Sequence, residues 1–246
     1  MAIEARFRTV RSFDGTELAW SATGAGDTTV ILANGIVCSD TYWTFLHPHL
    51  VDHGHRVVFW DYRGHGRSGP PIDPDEITIE AHARDLWAVA DAVGVDRAVL
   101  VGHSMGVQTI LEAYRLEPSR VAGLIPIAGA YEDPASTFLG LPFLHYLLPL
   151  LDLSVRPVPW LSNLVWRTVA EQDDLLYWSG RLSGMIGASA PRELMSEYFH
   201  HVAGLDPALA IRMAGALSEH SAQDLLPSID VPTLILAGAK DVMTPP

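Results

Sequence analysis

A single cysteine, Cys38, stands among the 246 residues. It excludes an intrachain disulfide and suits a reducing compartment. Lysine is equally scarce, with Lys240 alone, so 16 basic residues face 29 acidic ones and the formal net charge is −13. A surface of that sign excludes nucleic acid as a partner, since phosphate binding needs clustered Lys and Arg. No uninterrupted apolar run approaches the ~20 residues of a membrane span. The apolar stretch Phe138–Leu151 is shorter, and Pro142, His145 and Pro149 break it, which argues against a membrane partner. The opening Met1-Ala2-Ile3-Glu4-Ala5-Arg6 has no apolar core of signal-peptide length, so a cytoplasmic location is expected. The histidines show no metal-ligand spacing: His200 and His201 are adjacent and on a helix would point in different directions. Neither a metal nor another cofactor is expected.

What is present describes a globular chain, 48% hydrophobic and 18% charged. Its length fits one domain with room for an insertion. Residues 3–11 and 17–22 read as a hairpin about Asp14-Gly15. Val30–Ala33, Val57–Trp60, Ala98–Val101, Leu124–Ile127 and Thr233–Leu236 are short continuous apolar runs. Such runs suit strands buried on both faces of a parallel sheet. Ile79, Ala83, Leu86, Trp87, Ala90 and Val93 share one helix face, with Thr78 as N-cap and Gly94 as stop. Strands alternating with helices predict an α/β chain with a doubly wound, mostly parallel sheet.

One stretch breaks the alternation. Residues 131–205 are too long for a crossover and are rich in Leu, Phe, Trp, Tyr and Pro. They are expected to form short helices capping the C-terminal edge of the sheet. The predicted organisation is a first core part over 1–130, a helical cap over 131–205 and a second core part over 206–246.

Gly102-His103-Ser104-Met105-Gly106 sits between the apolar run ending at Val101 and an amphipathic run through Val107, Ile110, Leu111 and Tyr114. A Ser between two glycines on a strand-to-helix turn has the spacing of a nucleophile elbow. The tight turn presses helix on strand, so side chains at positions 102 and 106 would clash. The turn also lifts the Ser104 oxygen clear of the sheet and is expected to set the Ser104 amide at a helix N-terminus, where negative charge is favoured.

With the elbow, three further segments resemble the α/β-hydrolase superfamily, in its capped, esterase- and lipase-like branch. They are Ala33-Asn34-Gly35-Ile36, Asp61-Tyr62-Arg63-Gly64-His65-Gly66-Arg67-Ser68 and Leu236-Ala237-Gly238-Ala239-Lys240-Asp241. The resemblance implies a Ser104 nucleophile and an Asp241 acid, with Glu132 and Asp133 after the earlier strand as the alternative acid. It also implies an oxyanion hole from the backbone N–H groups of Met105 and Ile36. Most relatives carry His-Gly where this chain has Asn34-Gly35. The backbone role survives that change, whereas a contact made by the His side chain does not carry over. Asp61–Ser68 reads as an architectural turn, Cys38 as a buried bystander, and His103 as too close along the chain to serve Ser104 as base.

All 11 histidines precede Asp241, whereas the family places its catalytic His well after the acid. Two expectations stay open. Either the sequence is a fragment ending before a last strand, helix and His loop, or it belongs to a binding protein that lost catalysis. The activity implied is hydrolysis of an ester of a small, fairly apolar substrate through an acyl-enzyme. C–C bond hydrolysis and thioester hydrolysis on the same residues are alternatives, as is a non-catalytic ligand receptor. The resemblance does not specify an oligomeric state.

Overall fold

The computed structural model describes residues 6–134, 159–241 and 243–244. The chain opens with β1 (Arg8–Arg11) and β2 (Glu17–Thr23), turning where Gly15 takes φ 90°. The Asp14 carboxylate accepts from the Thr16 amide at 3.0 Å and its hydroxyl at 2.9 Å, which fixes the turn. There follow β3 (Thr29–Ala33), α1 (Leu46–Asp52), β4 (Arg56–Trp60), α2 (Ile79–Val93), β5 (Ala98–His103), α3 (Met105–Leu116) and β6 (Val121–Ile127). The sheet order is β1-β2-β4-β3-β5-β6, antiparallel at the β1–β2 and β2–β4 pairings and parallel beyond.

Strand alternation explains the continuous apolar runs. Ile31, Ala33, Val58, Trp60 and Leu100 join the core that α2 and α3 cover. Val30, Leu32, Val57, Phe59 and Val101 join the opposite core, against Leu46, Leu50 and Val51 of α1. A sheet covered on both faces leaves no polar alternation in its central strands. Helix α2 has the expected ends: the Thr78 hydroxyl accepts from the Ala81 amide at 3.0 Å, and Gly94 closes it at φ 74°.

Two strand expectations need correction. Residues 233–236 run parallel to β6 but form isolated bridges, Leu124 with Thr233 and Ile127 with Leu236. Leu234, Ile235 and Leu236 are 55%, 72% and 45% exposed, so this segment is an edge rather than a strand buried on both faces. Ile125, Pro126 and Ile127 of β6 are half-buried for the same reason, since the neighbouring edge carries no cover among the described residues.

After Pro134 the described chain resumes in α4 (Pro159–Ala170), α5 (Asp173–Ser183) and α6 (Arg192–Ala203), followed by α7 (Pro207–Glu219). The Trp166 indole N–H donates to the Val202 carbonyl at 2.7 Å, tying α4 to α6. The apolar run Phe138–Leu151 lies outside the described residues. Leu209 and Met213 of α7 enter the core that α2 and α3 cover.

Candidate active site

Ser104 sits at the β5-to-α3 corner with φ 54° and ψ −119°, a region that residues with a Cβ rarely occupy. The neighbouring glycines explain how the corner closes. A Cβ on Gly102 would run into the Gly106 carbonyl, and one on Gly106 into the carbonyls of Ala33 and Asn34. The Ser104 amide donates to the Ile127 carbonyl at 3.0 Å and its carbonyl accepts from Val107 at 3.0 Å, locking strand, corner and helix together. Met105 is the first residue of α3, so its N–H belongs to the free donors of a helix N-terminus.

The loop after β3 comes directly against this corner. A Cβ built on Gly35 would lie 3.1 Å from the Ser104 Cβ and 2.9 Å from the Cys38 Sγ, so only glycine lets the loop approach. Ile36 follows, half-buried, and Val37 takes φ 51°, a strained conformation for a β-branched residue. Asn34 holds the base of the loop. Its Oδ1 accepts from the Trp43 indole at 2.5 Å and its carbonyl accepts from the Tyr62 hydroxyl at 2.9 Å. The side chain standing where relatives carry His is thus turned to the loop's own support.

Asp241 lies beyond the edge segment. Its carboxylate accepts from the amides of Met243 at 2.8 Å and Thr244 at 3.0 Å, and from the Thr244 hydroxyl at 3.0 Å. The carboxylate stands near enough to His103 to act on its charge. Burial nevertheless dominates and depresses the His103 pKa to about 4, so its imidazole is neutral near pH 7. His103 packs on the Tyr42 ring at 4.9 Å and its Nδ1 is buried without a partner. Ser104, Gly35-Ile36, Met105 and the Asp241 loop therefore gather at one edge of the sheet. Glu132 is engaged elsewhere, accepting from the Ser221 hydroxyl at 3.4 Å. No histidine among the described residues hydrogen-bonds the Ser104 hydroxyl.

Contacts between separate elements brace the site. Arg67 spans the Asp61 and Asp40 carboxylates at 3.0 Å each, which ties the Asp61–Ser68 turn to the 3-10 turn Asp40–Trp43 beyond the Ser104-facing loop. Arg63 is fully buried and pairs with Asp85 at 2.6 Å and Asp14 at 3.0 Å, joining that same turn to α2 and the first hairpin. Tyr198 of α6 adds a further contact, meeting the Tyr42 ring edge-on at 5.6 Å. Cys38 is buried, and desolvation raises its thiol pKa to about 12. Of the adjacent pair His200 and His201, the first is exposed and the second half-buried. Among the described residues no group of three or more His, Cys, Asp or Glu side chains could hold a metal, and no helix is long and apolar enough to cross a membrane.

Comparison with known proteins agrees with this fold. The karrikin insensitive 2 receptor CA of Petunia hybrida is 27% identical over 236 residues, covering 90% of this chain and 77% of that protein. A putative carbamate hydrolase RutD of Caulobacter sp. strain K31 is 31% identical over 219 residues, covering 88% and 74%. Among solved structures, an esterase from Exiguobacterium antarcticum superposes with a TM-score of 0.75 at 22% identity, covering 98% of this chain and 84% of its own. The family model for the alpha/beta hydrolase fold matches residues 28–246, and the chain belongs to that family.

Proposed function

We propose that this chain is a serine hydrolase that cleaves an ester of a small, fairly apolar substrate through an acyl-enzyme. The Ser104 Oγ attacks the ester carbonyl carbon, its proton passing to an imidazole base. The carbonyl oxygen becomes an oxyanion facing the N–H groups of Met105 and Ile36. Collapse expels the alcohol, which takes the proton, and water then hydrolyses the acyl-Ser104 ester by the same steps. Asp241 is assigned the role of orienting the imidazole and stabilising its protonated form. By resemblance to the family the base is a histidine placed after the acid, and none of the 11 histidines of this sequence follows Asp241. Helices α4 to α6, within the 131–205 cap, supply the apolar side of the substrate site. The core is assigned to 1–130 and 206–246. The substrate is a small molecule, with no nucleic acid or membrane partner and no cofactor, and the protein acts in the cytoplasm.

The observation that carries this reading is the strained Ser104 corner with the Gly35 loop packed against it. Strain concentrated at one half-buried serine, beside two candidate amide donors, is the arrangement acyl transfer uses. A fluorophosphonate reagent tests it. With the imidazole base present, covalent adduct is expected on Ser104, read by intact mass and peptide mapping, and none in Ser104→Ala. Labelling that persists in the Ser104→Ala protein rejects the assignment.

A second reading has its own support. One similar protein is a receptor by name, and the alternative is that the same residues serve ligand binding. Turnover separates the two: a receptor holds its ligand without releasing stoichiometric excess of product. Thioester and C–C substrates, run beside esters of matched acyl group, decide among chemistries available to the same residues.

A further inference from the structure

The loop that faces Ser104 is held from two directions. From the core side, Trp43 and Tyr62 fasten Asn34. From the other side comes α6. Its Tyr198 ring stands edge-on to Tyr42 at 5.6 Å and 75°, and Tyr42 tilts onto His103 at 4.9 Å, one residue before Ser104. The Tyr42 phenol also faces the Cys38 thiol and the Tyr198 hydroxyl. Burial raises the pKa of all three groups, so the cluster is uncharged. Cys38 completes the path: its amide donates to the Gly35 carbonyl at 3.3 Å, and its sulfur lies against Gly35 itself. One turn along α6, His201 sits close enough to Asp40 and Arg67 to feel both charges, giving the helix a second footing on the 3-10 turn.

We propose that Tyr198 is a positioning residue, holding the Gly35–Cys38 loop through Tyr42 and Cys38 so that the Ile36 amide points at the Ser104 site only while α6 is seated. The proposal rests on the hydrolase reading for its catalytic consequence, but the clamp itself does not depend on it. The physical reason is Val37. A β-branched residue at φ 51° relaxes unless its surroundings over-determine the loop. Cys38 lies against Gly35, Tyr42 faces Cys38, and the Tyr198 ring of α6 meets one side of Tyr42, which stays 41% exposed. Helix α6 is therefore both part of the cap and a structural condition for the second oxyanion donor.

Cys38 makes the clamp measurable without turnover, because it is the only thiol in the chain. Its reaction with a disulfide reagent such as DTNB reports local opening of the loop. Tyr198→Leu keeps apolar volume and removes the ring edge; circular dichroism establishes that it is folded. The expected result is a Cys38 reaction at least about tenfold faster than wild type, with Ser104 phosphonylation at least about tenfold slower. Tyr198→Phe, which keeps the ring, is expected to stay within about threefold of wild type on both measures, and so is Ala92→Ser, an exposed change on α2. A folded Tyr198→Leu protein whose Cys38 reacts at the wild-type rate overturns the clamp. A faster Cys38 with unchanged phosphonylation overturns the link to the oxyanion amide. Wild-type protein that never phosphonylates at Ser104 with its imidazole base present rejects the hydrolase reading instead, and the thiol measurement still decides whether Tyr198 holds the loop.

Discussion

The Trp43 indole N–H donates to the Asn34 side-chain oxygen at 2.5 Å, nine residues back along the chain. Both residues are nearly fully buried, at 3% and 2% exposure, so neither group has water as a substitute partner. The bond closes the loop that carries Gly35 and Ile36 to Ser104.

Trp43→Phe should therefore act through the loop more than through lost volume. It leaves the Asn34 oxygen buried without its donor, a loss of about 1–3 kcal/mol. Urea unfolding should show that decrease, and Ser104 phosphonylation should slow in the protein that remains folded. Unchanged stability and unchanged labelling together would show that the hydrogen bond has no hold on the loop.

The glycines divide into two kinds, and alanine substitution should separate them. Gly102 and Gly106 face backbone that cannot move aside, so either change should cost at least about 3 kcal/mol or yield insoluble protein. Gly215, inside α7, has open space where a Cβ would stand, and its φ is not in the left-handed range. Gly215→Ala should raise stability by about 0.5–1 kcal/mol. Denaturant midpoints for the three proteins provide the check. A well-folded Gly106→Ala enzyme of wild-type stability would contradict the packing of the corner.

Much of this was legible in the sequence. Apolar runs gave the central strands because a doubly covered sheet forces that pattern, and Thr78 with Gly94 marked the ends of α2. The elbow could be read because close packing leaves glycine alone at two fixed spacings. Arg67 bridging Asp61 and Asp40 could not, because the partners are 6 and 27 residues away in sequence and no local pattern couples them. Tyr198 on Tyr42 is a contact between α6 and a loop far earlier in the chain, set by how one packs on the other. The segment 233–236 was apolar enough to suggest a buried strand, but composition does not reveal which neighbour covers a sheet edge.

Stability should fall on acidification well before the carboxylates titrate. Burial depresses His65 and His103 to about 4 each and also lowers His82, whose two ring nitrogens are buried without partners. In the unfolded chain these imidazoles take up a proton near pH 6.5. The fold excludes that proton, so the stabilisation is complete above pH 6.5 and is lost as pH falls toward 4. Each such group contributes a slope of about 1.4 kcal/mol per pH unit in that window. Urea unfolding at pH 7.5 and 5.0 should show a clear decrease, and His82→Phe should make the profile shallower. Equal stability at the two pH values would mean that these histidines are protonated in the folded protein too.

The assignment of Asp241 rests on place and on what surrounds it. The chain runs alongside β6 as far as Leu236, reaches Asp241 next to His103, and turns there on the amides of Met243 and Thr244. Asp241→Asn keeps the side-chain oxygen that accepts from those amides, so the turn is expected to survive. What it removes is the negative charge that would stabilise an imidazolium. In the active enzyme kcat on a medium-chain p-nitrophenyl ester should drop by about 10³–10⁴, with KM little changed, because the residue orients the base and does not bind substrate. Glu132→Gln should stay within about threefold of wild type on the same substrate, since Glu132 hydrogen-bonds Ser221. Asp133→Asn serves as the second control. If a change at Glu132 or Asp133 reproduces the large loss and Asp241→Asn does not, the acid sits after β6, and the Asp241 turn is no more than the cap of its own loop.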